Sequence, residues 1–170
     1  STMIMKRNKK IVIDCETSGL DPKHHQIIQI CIGVLDERLE IVDMWTARIQ
    51  FDLKRANKTA LKMNGYNQDS DLWINAMSQY NMGMEIRNRI MGATIIGHNV
   101  KFDMEFILES WRISGISKPK FDYRYIDTVV LAHYHFDALG MSLSLDTLRK
   151  FFGWSSDGAH TATKDVHDTA

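Results

Sequence analysis

The sequence predicts an α/β domain built around one mixed sheet, and three observations carry that prediction. Strand-like segments come early and in series: residues 10–15, 27–36 ("IIQICIGVLD") and 39–49 ("LEIVDMWTARI"), the last two joined by a short polar turn around Glu37 and Arg38 in a hairpin pattern. After them helix and strand alternate, as in a sheet with helices packed against it. The chain has 170 residues, 44% apolar and 25% charged, which is ordinary for a globular protein long enough to bury a core. A central mixed sheet of five strands flanked by helices is expected, in a single domain over residues 3–170, with Ser1 and Thr2 ahead of Met3 read as extraneous.

Each element has a local reason. Residues 10–15 are apolar and β-prone before the breaker "SGLDP". "ANKTALKMNGY" reads as a helix stopped at Gly65, where a left-handed terminus suits glycine. "DSDLWINAMSQYNMGMEIRNRIM" supplies one or two further helices, and "ATIIGHN" (93–99) is a short β-branched strand. "KFDMEFILESWRI" is helical, with Asn99 ahead of it as a plausible N-cap, and "YRYIDT" is the last strand. "TVVLAHYHF", "LSLDTLRKFFG" and the segment after His160 complete the helices. There is no internal repeat and no low-complexity tract.

Composition excludes several function classes. No apolar run reaches the roughly 18 residues of a membrane span and nothing resembles a signal peptide, so no membrane partner and cytoplasmic residence are expected. Cys15 and Cys31 lie in separate strands without C-x-x-C spacing, as packed thiols rather than a disulfide or zinc site. Lys plus Arg balance Asp plus Glu at 21 each, so the chain lacks the excess positive charge of a protein that coats nucleic acid, and any such contact must be local. The basic "MKRNKK" reads first as a solvated terminus, and the ten methionines as core gap-fillers.

The chemistry is carried by acids in unusual places. Within "IVIDCETSGL", Asp14 and Glu16 are two apart on a strand, so they share one face while Ile11, Ile13 and Cys15 take the other. Two carboxylates about 4 Å apart repel by roughly 4 kcal/mol at an effective dielectric of about 20. Either a positive group faces them or they cap a neighbouring element and are partly solvated. In "GHNVKFDMEFI", Asp103 shares a helical stripe with Phe106, Ile107 and Trp111, where a buried charge needs a cation or donor. A metal, an Arg or Lys partner and the helix macrodipole all meet that need. In the closing "GAHTATKDVHDTA", His160 sits in a loop-like stretch and Asp165 in the first turns of a terminal helix, with Asp168 a turn later read as solvated.

Together "DCETSGL", "GHNVKFD" and "HTATKD" resemble, in order and spacing, the three motifs of the DEDDh 3′→5′ exonuclease family. The resemblance is closest to its proofreading group, typified by the epsilon subunit of bacterial DNA polymerase III. It implies a ribonuclease H-like fold and release of nucleoside monophosphates from the 3′ end of a single strand, using two Mg²⁺ or Mn²⁺ ions. It further implies that Asp14 bridges the ions, Glu16 and Asp165 complete the site of the water-activating ion, Asp103 serves the second, and His160 is the general base. Thr17 and Leu20 match positions that hold the terminal nucleotide, with Asn99 and Phe102 as weaker candidates. DNA is favoured over RNA by the second motif, and the implied partners are a single-stranded DNA or RNA 3′ end and a DNA polymerase or other replication or repair protein. Two rivals stand beside this. An HD-type metal phosphohydrolase would be built on "VHDT" (166–169) with His24, His25, His133 or His135, and a nuclease-like fold could serve as an inactive binding module.

Overall fold

The computed structural model describes residues 8–129, 131–132, 144–145, 149 and 162–170. Five strands form one sheet in the order β3-β2-β1-β4-β5: β1 Lys9–Thr17, β2 Ile27–Leu35, β3 Ile41–Arg48, β4 Ala93–Gly97 and β5 Asp122–Asp127. The first three are antiparallel neighbours, whereas β4 runs parallel to β1, and β5 parallel to β4. The sheet is therefore mixed, as the segment order predicts. The β2–β3 turn is organised by Asp36, whose carboxylate accepts from the backbone N–H groups of Arg38 (2.8 Å) and Glu40 (2.9 Å), with Leu39 in the left-handed region at φ 64°.

The helices are α1 Lys58–Met63, α2 Asp71–Ile74, α3 Gln79–Ile90, α4 Val100–Ser114 and, numbered among the described residues, α5 Ala162–Thr169. A short 3₁₀ turn spans Leu53–Arg55. Asn57 caps α1 by accepting from Thr59 and Ala60, and the chain leaves α1 through Gly65 at φ +70°. Of "TVVLAHYHF" and "LSLDTLRKFFG", only Thr128, Val129, Leu131, Ala132, Ser144, Leu145 and Arg149 are described, all helical except Ser144, which lies in a bend; the rest of both segments lies outside the described residues. No described helix is long and apolar enough to cross a membrane.

Alternation along β1 divides the interior. Ile11, Ile13 and Cys15 join the larger cluster with Met82, Ile86 and Ile90 of α3 and Met104, Phe106, Ile107 and Trp111 of α4. Each buried aliphatic side chain there contributes roughly 1.5–3 kcal/mol. On the opposite face Val12 packs with Cys31, Leu35, Ile96 and the fully buried Val166 of α5. Asp14 and Glu16 share Val12's parity and so face α5. Gly33 admits that helix closely, since a Cβ there would lie 3.1 Å from a Val166 methyl. Both cysteines are free and buried.

Candidate active site

The site lies where β1 outruns its parallel neighbour. Pairing with β4 ends at Val12↔Ile96, so the edge of β1 beyond Val12 faces no strand on that side. Chain leaving β4 turns sharply at Gly97, where a Cβ would sit 2.9 Å from that of Val100 and 3.3 Å from the Ile13 carbonyl oxygen. Only glycine permits that approach. Asn99 occupies the N-cap of α4 at φ 61°, yet its side chain forms no cap. The Asp127 carboxylate, at the end of β5, accepts instead from the backbone N–H groups of Asn99 (2.9 Å) and Val100 (3.1 Å).

This aims the first turn of α4 at β1. Asp103 is 3% exposed, and its Oδ1 accepts from the backbone N–H of Cys15 at 3.4 Å, in the gap that β4 leaves. Among the described residues its Oδ2 has no partner, and neither has Oδ2 of Asp14. From the other face α5 delivers Asp165. One carboxylate oxygen each from Asp14, Glu16 and Asp165 lie within 4.8 Å of one another.

Crowding and burial make this centre electrostatically costly. Burial first, then Asp103, Asp165 and Glu16, push the Asp14 carboxyl well above the usual range, with Arg149 pulling the other way. Glu16 is pushed up to about 9 by burial and then by Asp165, against which it also hydrogen-bonds. Asp103 is raised by burial although the Cys15 N–H works in the opposite sense. The Cys15 thiol is raised by burial and the surrounding acids, which leaves it inert. The arrangement suits hard divalent cations: every donor is oxygen, three acids converge, and two enclosed oxygens want a positive partner.

Sequence reasoning missed one participant. Arg149 is 1% exposed and donates through Nη2 to Asp165 Oδ1 and through Nε to Asp168 Oδ2, the latter at 2.6 Å. Asp168 also accepts from Lys164 at 3.0 Å. Asp168 is therefore not freely solvated, the reading its place on the helix suggested, but partly buried and held in ion pairs. Despite burial, bonds from Arg149 and Lys164 hold its carboxyl below the usual range. The available signal was an arginine within the apolar pattern "LDTLRKFF".

The remaining candidates divide. His160 lies outside the described residues. Thr17 is buried, its hydroxyl donates to the Gly19 carbonyl at 2.6 Å, and its own carbonyl accepts from the Asn64 side chain at 3.0 Å. Its hydroxyl proton is thus used within the loop. Leu20 stands out at 83% exposed, on a turn where Gly19 lets His25 lie flat: a Cβ would meet the ring at 2.4 Å. Asn99 is exposed, and Phe102 is half-buried against Phe106 with ring centroids 4.9 Å apart. For the HD-type rival, His167 is exposed, Asp168 is taken by Arg149 and Lys164, and the described residues contain no ligand cluster with a histidine. His133 and His135 lie outside the described residues.

Comparison with known proteins places this geometry. The PolC-type DNA polymerase III of Pediococcus pentosaceus is 27% identical over 97% of this chain and 11% of its own length. The 3′-5′ exonuclease DinG of Staphylococcus saprophyticus is 28% identical over 94% of this chain and 17% of its own length. The DNA polymerase III epsilon subunit of Treponema pallidum is 27% identical over 90% and 69%. The chain thus spans less than a fifth of the first two relatives. E. coli Exonuclease I, solved with a dT13 oligonucleotide, superposes with a TM-score of 0.81 at 18% identity, over 96% of this chain and 39% of that one, which establishes the ribonuclease H-like fold. The Exonuclease family pattern itself runs across residues 11–170, from the acidic strand through α4 to α5, and the chain belongs to that family of nuclease hydrolases.

Proposed function

We propose that the chain is a metal-dependent 3′→5′ exonuclease that releases nucleoside monophosphates from the 3′ end of single-stranded DNA. The observation that carries this is the convergence of Asp14, Glu16 and Asp165 within 4.8 Å, beside enclosed oxygens of Asp14 and Asp103 that have no partner among the described residues. Asp14, Glu16, Asp103 and Asp165 would hold two Mg²⁺ or Mn²⁺ ions, because hard cations take oxygen ligands and only positive charge makes such crowding favourable. When bound, such a pair lowers the pKa of water and stabilises charge on the leaving oxygen of a phosphodiester. His160 acts as the general base that takes the proton of the attacking water. Leu20 packs against the terminal base and Phe102 supports it from α4, while Thr17 and Asn99 contribute through the backbone of their turns.

DNA is favoured as substrate because the similar proteins include DNA polymerase III enzymes and an exonuclease solved on a DNA oligonucleotide. The small share of the PolC-type polymerase that the chain matches supports work beside a replication or repair polymerase. The unit of activity is the single domain over residues 3–170, acting in the cytoplasm. The test offers end-labelled single-stranded DNA, duplex DNA and RNA in parallel, with and without chelator. Mononucleotides from the 3′ end of single-stranded DNA, lost with chelator, are expected. Full activity in chelator overturns the metal dependence, and faster hydrolysis of RNA moves the assignment to an exoribonuclease.

A further inference from the structure

We propose that Arg149 is a positioning residue of the cation site, acting as a fixed fork that sets Asp165 for metal binding and fastens α5 to the body of the protein. This inference rests on the metal-centre reading above and deepens it.

The guanidinium is planar and sets two of its nitrogen donors on two carboxylates. Nη2 meets Asp165 Oδ1, and Nε meets Asp168 Oδ2 at 2.6 Å. The two acids stand three residues apart on α5 and so project from nearly the same side. One arginine spans a helical turn and fixes both its rotation and its height. Lys164 closes the arrangement from within the helix, at 3.0 Å from the other oxygen of Asp168. With Oδ1 of Asp165 engaged, the carboxylate has a set orientation against Asp14 and Glu16.

In proteins most of a helix's stability comes from tertiary packing rather than from propensity, and α5 is no exception. Its apolar hold is Val166, fully buried against the sheet, and its ionic hold is Arg149. Groups that orient metal ligands without touching the metal typically change affinity by about 10- to 100-fold when removed. An ammonium replaces the fork only in part, because it lacks the rigid planar donor pair that fixes two carboxylates in one geometry.

The test measures Mn²⁺ binding by calorimetry on the full chain without nucleic acid, together with Tm in the presence and absence of Mn²⁺. Arg149→Ala should bind Mn²⁺ about 10- to 100-fold more weakly, and the rise in Tm that Mn²⁺ produces should shrink accordingly. A purely structural role would lower Tm equally with and without the cation. Arg149→Lys should recover only part of the affinity. Asp168→Asn, which keeps the arginine but removes one tine's anchor, should weaken Mn²⁺ binding in the same direction and add little on the Arg149→Ala background. Should Arg149→Ala fail to fold, Asp168→Asn decides. Unchanged Mn²⁺ affinity in these variants overturns the proposal. Tighter binding by Arg149→Ala overturns it too, by showing the guanidinium to be a competitor for Asp165. Wild-type protein that binds no Mn²⁺, or binds it no better than Asp14→Asn, instead overturns the metal reading.

Discussion

Two acidic regions touch at α5 and have opposite electrostatic character. At the end of β1, Asp14, Glu16 and Asp103 are buried among like charges, and all three carboxyls are pushed upward. One helical turn past Asp165, Asp168 is also partly buried, yet Arg149 and Lys164 hold it below the usual range. Burial is common to both, so it does not separate them. What separates them is whether, among the described residues, counter-charge outweighs the crowding of like charges. A fold retains crowded carboxylates at a cost, and that cost marks the end of β1 as the candidate functional site.

The largest expected effect breaks the comparison at its acidic end. Asp14→Asn should lower exonuclease activity by about 10⁴-fold, the equivalent of about 5.5 kcal/mol of lost transition-state charge stabilisation at 1.36 kcal/mol per decade. The same change should raise the Tm of the metal-free protein by relieving repulsion. Thermal melts in chelator check the sign, and a fall in Tm would count against the repulsion account.

His160→Ala tests the proposed general base. Loss of a positioned general base should reduce kcat by about 10²- to 10⁴-fold with little change in substrate binding. Single-turnover rates against pH should also lose the limb that rises near the ordinary histidine pKa of about 6.5.

Asp168→Asn is the mirror of Asp14→Asn and should destabilise the metal-free protein by about 1.5–3 kcal/mol, the usual range for a hydrogen bond to a charged group. Denaturant unfolding of both variants in chelator would show opposite signs. Equal signs would dissolve the distinction between the regions.

The two regions should also leave separate limbs in a pH–stability curve. Glu16 has its folded value raised to about 9 from an ordinary 4.5, so its contribution is fully present below about pH 4.5 and is lost as pH rises through 9. Asp168 has its folded value depressed, so its contribution is present above its ordinary 3.8 and is lost as pH falls through the folded value. Metal-free protein should thus be most stable in mildly acidic solution. Added Mn²⁺ should flatten the high-pH limb alone, which melts across pH with and without the cation would reveal.

The smallest effect sharpens the comparison at its edge. Leu20 is 83% exposed, so Leu20→Ala should alter stability by less than about 0.5 kcal/mol. It should raise KM for single-stranded DNA several-fold, on the order of 1 kcal/mol of lost apolar contact. An unchanged KM would remove Leu20 from the substrate surface.

What the sequence by itself determined is whatever depends on near neighbours in the chain. Period-two alternation in "IVIDCET" put Asp14 and Glu16 opposite Ile11, Ile13 and Cys15, and β1 keeps that division. Helical spacing put Asp103 on the stripe of Phe106, Ile107 and Trp111, and all four are buried in α4. Turn chemistry located the hairpin and the stop at Gly65. Tertiary structure decided everything that spans the chain. Cys15 and Asp103 meet across 88 residues because β4 stops short of the end of β1, and no local pattern encodes where a partner strand ends. Asp127, not the side chain of Asn99, caps α4, because β5 ends beside the helix start. Asp165 and Asp168 looked like one site residue and one surface residue, and Arg149 drew no reading beyond its place in a helical segment. Only the packing of α5 joined them, because ion pairing depends on a few ångströms between elements, which residue spacing along one element does not record.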